Sequence, residues 1–596
     1  MSPATRTAVA TGAGRQPSRP QRIRAEVGAT EPSPPQGSPT QRLSRAPLPT
    51  VLLHWLLVLA LAVSLATGLR IAADAPDALV SAALAPVLPQ GAALLWHLIS
   101  GALVLAAMLA YALYQVRSGL GRRLLRLPRM GAAGDRAARL RRLDLVLYWL
   151  AFGLLLLAAG TGALQYLGAA PPGGRRLLEA LHRMAAWGLL GYAAAHVGLQ
   201  LAGGGVRRLL AILLPRPAHL RIGAWAAAVS LGLIVAAVVA DRVLVRDLTL
   251  PRAVELPVLD GRVDDRAWAQ APALRIALAN GANLPGGESI LTLRGVHDGE
   301  RVYLLCEWTD PTRSTAHVPL LKTAQGWRIL QTAYRSADEN RWYEDKLALM
   351  LAPPGRPLAA LTSVHLGAQP LRGEPEAPGG RGLHYTTDGG ILDVWHWKSV
   401  RNDAEHQADD NFFGPPLPAP AQTPRTRDPD SGAWLPRYTG GYRKDPPGTF
   451  SGYEMNWEFF SEGRTQPLRL PKDPRDLALP EAAGGAPPAP PATAPEPAWI
   501  EFNDTRPYAD GPDTLPVGTL LPSVLPTGRL TGDRGDIAAR GHWADGRWSL
   551  ELSRRLDTGS SRDVAITDGT LLWVAVFDHT QTRHAYHLRP VRLRLR

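Results

Sequence analysis

The stretch LLEALHRMAAWGLLGYAAAHVGLQLA, residues 177–202, decides how the N-terminal half of the chain is built. It is long and apolar enough to cross a bilayer as a helix, which takes about 20 residues. His182 and His196 lie 14 residues apart within it. At about 100° and about 1.5 Å per residue, their imidazoles are about 40° apart around the helix and about 21 Å apart along it. Ionisable side chains inside a membrane helix are costly, so both histidines are candidate functional residues.

Four further apolar stretches predict membrane helices around this one, at 49–69, 92–116, 143–167 and 222–245. The segment before the first span and the second-to-third and fourth-to-fifth connections together hold 20 arginines, whereas the other two connections hold three. Basic residues stay on the cytoplasmic side, so we expect a cytoplasmic N-terminus and a periplasmic C-terminal region in a bacterial inner-membrane protein. The predicted fold class is an α-helical transmembrane bundle, four helices plus a fifth span, followed by a second domain.

The charge distribution agrees with a membrane protein. The chain has 596 residues and a formal net charge of +13, but residues 1–250 carry +17 and residues 251–596 carry −4. The positive charge therefore follows the apolar half, which argues against a nucleic-acid partner and for the lipid bilayer. The lone cysteine excludes intrachain disulfides, four-thiolate metal sites and covalent haem attachment. Residues 1–45, rich in Pro, Arg and Ser, predict a disordered cytoplasmic tail.

Two more histidines, His54 and His97, lie in the first and second predicted spans. Given the predicted direction of each span, His54 is level with His196 near the cytoplasm (the inner pair), and His97 is level with His182 near the periplasm (the outer pair). Two imidazoles facing each other at one depth are the axial ligands of a b-type haem. Zinc would require three or four ligands at each site. The alternative is that each histidine is a packed core residue bonded to a carbonyl group.

Small and basic residues surround these histidines. The glycines would let a flat macrocycle approach the helices, although close helix packing would also select them; they are Gly101, Gly188, Gly191 and Gly198. Four arginines flank the outer pair and are candidates to bind haem propionates, although each is also compatible with solvent or lipid headgroups; they are Arg70, Arg175, Arg176 and Arg183.

On these residues, the region 46–205 resembles the bacterial di-haem cytochromes b, which serve as membrane subunits of formate dehydrogenases and hydrogenases or as small quinol-linked oxidases. The family carries one histidine in the first helix, one in the second and two spaced 14 apart in the fourth. The matching residues are His54-Trp55, His97, His182 and His196. The resemblance implies two haems b and exchange of electrons with the quinone pool. The fifth span, 220–246, would then tether the outer domain.

The C-terminal region, 251–596, predicts a β-sandwich because short alternating or β-branched runs are separated by Gly, Pro and Asp. The predicted strands are 289–295, 301–308, 345–352, 391–397, 546–552 and 571–577. Proline-rich loops interrupt the pattern at 353–358, 415–425 and 484–498. The last belongs to a Pro/Ala-rich insert near 480–498, which predicts a flexible or polyproline segment.

Several motifs in this region resemble the haem-binding domain related to the gamma subunit of ethylbenzene dehydrogenase. They are DGRVDDRAWAQA (260–271), YEDKLALML (343–351), DVWHWKSVR (393–401) with Asp409-Asp410, GHWADGRWSLELSRRL (541–556) and AVFDHTQTRHAY (575–586). In that subunit a methionine and a lysine hold one haem b, which implies Met350 and Lys398 here. His396, two residues before Lys398 on the same strand face, is the alternative to Lys398, and Met455 is the alternative to Met350. The opening DG…AW pattern is shared with a carbohydrate-binding sandwich family.

The tryptophans of these motifs, Trp395, Trp397, Trp457, Trp543 and Trp548, are expected in the core, and Cys306 is expected to be a buried apolar residue. The leading hypothesis is a membrane electron carrier between the quinone pool and a periplasmic partner, such as a molybdenum oxidoreductase or a soluble cytochrome. Bis-imidazole ligation leaves no open iron position. No nucleophile–base pair, phosphate loop or dinucleotide motif is found, so substrate chemistry would belong to the partner. The alternatives are a membrane-anchored carbohydrate-binding or envelope-ligand protein with structural histidines, and a redox sensor.

Overall fold

The computed structural model describes residues 45–73, 79–84, 87–89, 91–123, 136–169, 171, 173–211, 213, 215–329, 342–365, 384–415, 426–427, 434–435, 451–461, 464–473, 477, 500 and 502–596. The predicted N-terminal tail, apart from residue 45, and the predicted insert near 480–498 lie outside these residues.

Five long helices form the N-terminal half: α1 Leu48–Ala72, α2 Ala93–Arg117, α3 Arg136–Leu167, α4 Arg175–Ala211 and α5 Leu220–Val243. Four of them, α1, α2, α5 and the Ala138–Leu167 part of α3, are long and apolar enough to span a membrane. The helix α4 is less apolar because it carries histidines, arginines and glutamine along its length. Its crossing of the membrane therefore stays a prediction. Gly205, with φ 62° and ψ −163°, interrupts the helical geometry near its end.

The helices pack as two hairpins, α1 against α2 and α3 against α4, with α5 against α2. A shared core of Ala60, Val104, Met108, Leu155 and Leu189 joins the two hairpins. Large apolar side chains point outward instead of inward on the remaining faces, as an environment of lipid requires.

Twelve strands form one large sheet in the C-terminal half. They are β1 Arg246–Leu250, β2 Leu274–Ala279, β3 Glu288–His297, β4 Arg301–Thr309, β5 Lys346–Ala352, β6 Leu392–Lys398, β7 Gln407–Phe413, β8 Ile537–Ala544, β9 Arg547–Arg555, β10 Leu571–Phe577, β11 Ala585–Tyr586 and β12 Val591–Leu595. All six runs predicted as strands are among them. The strands not predicted have polar or small residues on one face.

The sheet closes on itself. Its order is β11-β2-β3-β4-β9-β8-β7-β6-β5-β10-β12-β1, and β11 also pairs with β10, so ten strands form a ring from which β12 and β1 branch. Neighbouring strands of the ring are antiparallel, whereas β12 and β1 are parallel. The helical bundle and β-rich domain are thus as predicted, and the two faces expected of a sandwich belong to one continuous sheet.

Apolar side chains fill the interior of this ring. Trp395, Trp397 and Trp548 are almost fully buried there, with Trp543 at the margin, as the sequence predicted. Cys306 is also buried in this core, and burial raises the pKa of its thiol. Trp457 packs against a second, smaller core.

Short strands form small sheets separate from the ring. They are Leu320–Thr323, Gly326–Ile329 and Leu520–Leu521 in one three-stranded sheet, and the pairs Ser363–His365 with His384–Thr386, Tyr453–Met455 with Val524–Pro526, Trp457–Ser461 with Arg464–Pro467, and Arg469–Pro471 with Thr505–Pro507.

Candidate functional site

The structure brings the four membrane histidines together as two pairs. The ring centres of His54 on α1 and His196 on α4 are 6.4 Å apart, with an interplanar angle of 47°. Those of His97 on α2 and His182 on α4 are 6.0 Å apart, with an angle of 77°. The 14-residue spacing on α4 separates the two pairs by about 21 Å along that helix.

These separations suit one metal ion between each pair of rings. Two metal–nitrogen bonds of about 2 Å, with roughly 1 Å from each nitrogen to its ring centre, place the centres about 6 Å apart. Two imidazoles joined by a direct N–H···N hydrogen bond would have their ring centres about 5 Å apart, which is closer than either pair. The residues present therefore fit axial ligation by two histidines at each level.

Backbone carbonyl groups fix the outer pair of rings. His97 Nδ1 lies 3.0 Å from the Ser64 carbonyl oxygen and 3.2 Å from Thr67 Oγ1 on α1. Because a carbonyl oxygen can only accept, Nδ1 carries the proton and donates. The Thr67 hydroxyl donates to the Val63 carbonyl at 2.7 Å and can accept from the same ring. The lone pair of His97 is therefore on Nε2.

The second hairpin repeats this arrangement. His182 Nδ1 lies 3.0 Å from the Ala158 carbonyl oxygen and 3.1 Å from Thr161 Oγ1 on α3. The glycine after each threonine lets the ring come close, because a Cβ on Gly68 would lie 3.1 Å from His97 Cε1 and one on Gly162 would lie 3.2 Å from His182 Cε1. Both outer rings are thus held by the facing helix of their own hairpin.

The inner pair is held differently. The Tyr192 ring stacks on His196 at 5.5 Å, and the Trp55 ring meets His54 edge-on at 5.7 Å. Within the described part of the chain, no hydrogen bond reaches a ring nitrogen of His54 or His196. Aromatic packing therefore contacts these two rings, and their nitrogens have no protein partner among the described residues.

The predicted glycines and arginines have several roles. A Cβ on Gly188 would lie 3.1 Å from the Leu154 side chain, so this glycine serves helix packing. Among the described residues, and leaving out chain neighbours and the backbone of the same helix, no heavy atom lies within 4 Å of a Cβ built on Gly101, Gly191 or Gly198. Gly191 and Gly198 are exposed on the face of α4 opposite its two histidines, so only Gly101 has such space on the histidine face. Arg175 is engaged within the protein, pairing with Glu179 at 2.9 Å.

Two of the four candidate propionate ligands, Arg70 and Arg183, lie at the same end of the bundle as the outer pair. Arg70 follows Gly68 by two residues, and Arg183 follows His182 directly. Arg70 also lies near Tyr385 of the β domain: burial raises the pKa of Tyr385 to about 12, and the Arg70 charge opposes that rise.

Two contacts join the β domain to the end of the bundle that holds the outer pair. The Glu288 carboxylate accepts hydrogen bonds from the backbone N–H groups of Gly173 (3.1 Å) and Arg175 (2.9 Å), so it caps the helix that carries His182. Arg589 pairs with Asp241 of α5 at 2.8 Å, and the Tyr166 hydroxyl donates to the same carboxylate at 2.8 Å. Polar bonds therefore hold β3 and the β11–β12 segment against the helices.

In the β domain, Met350 and Lys398 lie on one face of the sheet. Met350 pairs with Val394 in register, and Val394, His396 and Lys398 alternate along β6 on the face opposite the tryptophan core. Met350 is half-buried against Val394, Phe413 and Trp573. Ala348 and Ala575 pair on the same face, where their small side chains extend only a short way from the sheet.

Lys398 is part of a buried ion cluster. Its Nζ pairs with Asp409, and Arg534 pairs with the same carboxylate, with Nη2 donating to Oδ2 at 2.9 Å. Burial alone would raise the pKa of Asp409, but Lys398 and Arg534 outweigh it and hold that pKa well below its usual range. An ammonium group in such a pair has no lone pair for iron.

His396 offers a free nitrogen next to this cluster. Its Nε2 is buried and has no hydrogen-bond partner among the described residues, and its ring lies 5.6 Å from Phe577. Burial, then the nearby Lys398 and Lys346 charges, hold the pKa of His396 well below its usual range, so the ring is neutral. Met455 is 39% exposed on a peripheral strand, whereas Met350 is half-buried in the large sheet.

The opening DG…AW pattern has a structural role here. The backbone N–H groups of Asp260 and Gly261 and the Trp268 Nε1–H all donate to the Glu551 carboxylate, at 2.9, 2.7 and 2.7 Å. The pattern thus anchors the start of the domain to β9. This contact accounts for the spacing of the motif without a sugar ligand.

Sequence reasoning missed Thr67, Gly68, Thr161 and Gly162. A repeated Thr-Gly pair in the first and third predicted spans was the available signal. It missed Glu288 and Asp241 as well, because nothing local in the sequence shows which surface they meet.

Comparisons with known proteins divide the chain in the same way as the fold. The prokaryotic cytochrome b561 family matches residues 45–216, which include α1–α4 and all four histidines. The ethylbenzene dehydrogenase family matches residues 265–589, more than half of the chain. A search of curated protein sequences gives no significant match.

Among solved structures, the chain is similar to a carbohydrate-binding module of family 9 from Caldicellulosiruptor kristjanssonii. Its glucose complex has 7% identity and a TM-score of 0.21, covering 58% of this chain and 95% of that chain. Its cellotriose complex has 9% identity and a TM-score of 0.20, covering 59% and 94%. At these scores the likeness assigns neither a fold nor a ligand. The two family matches, with the helical bundle and the β domain, establish that the chain belongs to the ethylbenzene dehydrogenase family with a prokaryotic cytochrome b561 domain at its N-terminal side, a multi-pass membrane b-type cytochrome of electron transfer.

Proposed function

We propose that this protein carries electrons between the quinone pool and a periplasmic redox partner through two haems b, one held by His54 and His196 and the other by His97 and His182. The observation that carries the proposal is the pairing of the four rings at 6.4 and 6.0 Å on facing helices. When bound, haem iron supplies one-electron transfer between its ferric and ferrous states. Two imidazoles would hold the iron at each level and leave no open position, which would favour electron transfer over oxygen binding.

The chain's residues would orient and surround these groups. The bonds at Nδ1 hold the rings of His97 and His182 and leave the lone pair on Nε2 of each ring. Gly101 lies about 40° around α2 from His97, so the space beside it would allow a flat group next to that helix. Arg70 and Arg183, which are close in sequence to Gly68 and His182, would bind propionates of the outer haem.

We further propose a third haem in the β domain, with Met350 as one ligand. Lys398 would have to leave Asp409 and lose a proton before it could bind iron, whereas His396 is neutral and already has a free buried nitrogen. These contacts favour His396 over Lys398 as the second ligand. We therefore expect that His396→Ala in the full chain removes one of three haems, and that His406→Ala, an exposed histidine of the same domain, removes none.

The contacts between the domains support an electron route through the outer haem. Glu288 caps the helix of His182, and Arg589 bonds to Asp241, so the β domain lies at the outer end of the bundle. The arginine distribution supports a periplasmic position for that end and a cytoplasmic N-terminus in a bacterial inner membrane. A periplasmic partner, a molybdenum oxidoreductase or a soluble cytochrome, would then meet the β domain, and substrate chemistry would belong to that partner.

The deciding experiment is a reduced-minus-oxidised spectrum with haem quantification on the purified full chain. We expect b-type bands, two haems per chain from the membrane pairs and a third from the β domain, and reduction by a short-chain quinol. Protein that folds with ample haem supply and holds none would refute the proposal and favour the membrane-anchored binding protein.

A further inference from the structure

We infer that Thr67 and Thr161 are positioning residues that give the outer haem a lower reduction potential than its ligand set alone would, an inference that rests on the proposed function above. Each threonine lies on the helix opposite an outer histidine, with Oγ1 3.2 Å from His97 Nδ1 and 3.1 Å from His182 Nδ1. Both hydroxyl groups are buried. The two sites repeat the same chemistry in two separate hairpins.

The direction of these hydrogen bonds follows from their acceptors. Each threonine hydroxyl has a carbonyl acceptor of its own, Val63 at 2.7 Å and Leu157 at 2.6 Å, so its oxygen is left to accept from the ring. Each Nδ1–H is therefore shared between that oxygen and a backbone carbonyl. The rings are held in one tautomer by two acceptors each, and Nε2 is the nitrogen available to iron.

Acceptors at Nδ1–H make an imidazole a stronger electron donor and tune the metal that it binds. A more basic pair of ligands stabilises ferric over ferrous iron and so lowers the reduction potential. The inner pair has no such acceptor among the described residues, since Tyr192 and Trp55 contact those rings by their aromatic faces and edges. The threonines therefore act on one haem only.

The test is a potentiometric titration of the purified full chain, followed at the haem absorption bands, with Thr67→Val, Thr161→Val and the double variant. We expect the outer haem's titration step to move to higher potential in each single variant and further in the double variant, with the inner step unchanged. The His97→Ala variant identifies the outer step by its absence. Thr67→Ser retains the hydroxyl and should restore the wild-type potential.

Ser100→Ala is the matched control, because Ser100 is a buried hydroxyl one turn from His97 that donates to the His97 carbonyl at 3.0 Å and not to its ring. It should leave both steps in place. If the valine variants keep two haems but shift neither step, or shift both steps equally, the inference is wrong while the proposed function stands. A wild-type protein without haem would instead overturn the proposed function.

Discussion

Each of the four membrane histidines faces one other histidine, on a different helix. Loss of either member should therefore remove the same haem. We expect His97→Ala and His182→Ala each to lose the outer haem, and His54→Ala and His196→Ala each to lose the inner one, measured as haem per chain and by the surviving titration step. His219→Ala, a histidine at the start of α5, should keep both. The pairing would be wrong if the two variants of one pair lost different haems, or if no variant lost a haem.

The buried carboxylate of Asp409 binds two cations at once, Lys398 and Arg534. Removing its charge would leave both cations without their partner, which costs about 3 kcal/mol in comparable buried pairs. We expect Asp409→Asn to lower the free energy of unfolding of the β domain by about that amount at pH 7, measured by tryptophan fluorescence in denaturant. Asp264→Asn, at an exposed carboxylate, should change little.

The same carboxylate predicts a pH dependence. The folded-state pKa of Asp409 is below its unfolded value of about 3.9, so its ion pairs contribute fully above that pH and are lost as the pH falls toward the folded-state pKa. Wild-type unfolding midpoints should therefore decrease as acid is added below about pH 4, more steeply than in Asp409→Asn. If the unfolding midpoints of the wild type and Asp409→Asn decreased in parallel, other carboxylates would be responsible for the loss of stability in acid.

Among the strands and loops, Gly261 is the turn residue that allows the DG…AW segment to reach β8 and β9. Its φ is +83°, and a Cβ there would lie 2.9 Å from His542 Cβ and 3.0 Å from backbone atoms. We expect Gly261→Ala to destabilise the β domain by about 3 kcal/mol, from the left-handed conformation and the clash together. Gly286→Ala is the control, since φ is +70° but no atom lies within 4 Å; it should cost about 1 kcal/mol. If the two substitutions lowered the free energy of unfolding equally, a clash between the new Cβ at position 261 and His542 would be excluded.

The helix α4 shows a second effect at this scale. Its polar residues make it less apolar than the other four long helices, and these are the residues that carry the candidate chemistry. Thr161 and Gly162 of the neighbouring helix α3 contact the imidazole of His182. The hairpin of α3 and α4, rather than α4 alone, therefore positions His182.

For the whole molecule, the bonds from Glu288 and Arg589 couple the β domain to the bundle. An N-cap of this kind contributes about 1 kcal/mol, which is roughly fivefold in an opening equilibrium. We expect Glu288→Gln to increase hydrogen exchange at the start of α4 by about fivefold or less. We expect the double variant, Glu288→Gln with Arg589→Gln, also to slow electron transfer from the bundle to the β domain. Arg592→Gln, in an exposed pair with Asp247, is the matched control. Unchanged exchange in the double variant would contradict the coupling.

The bundle, the strands and the candidate histidines followed from local patterns. Apolar length predicts a membrane helix, alternation predicts a strand, and a 14-residue spacing predicts one helix face, because each depends only on neighbouring residues. Met350 and Lys398 came from a resemblance, and the sequence left His396 and Met455 open beside them. Nothing local could show that Lys398 is paired with Asp409, since the partner is defined by strand register between β6 and β7.

The sequence by itself determined that two imidazoles would share a face of one long helix and that an apolar, arginine-flanked half would precede a β-rich half. Only the tertiary structure decided that the rings pair at about 6 Å, that Thr67 and Thr161 accept from the outer rings, that ten strands close into one ring, and that Glu288 caps α4. The physical reason is range: periodicity and hydropathy act over a few neighbouring residues, whereas the deciding contacts join distant ones, 21 positions apart for Thr161 and His182 and over 300 for the strand pair that closes the ring.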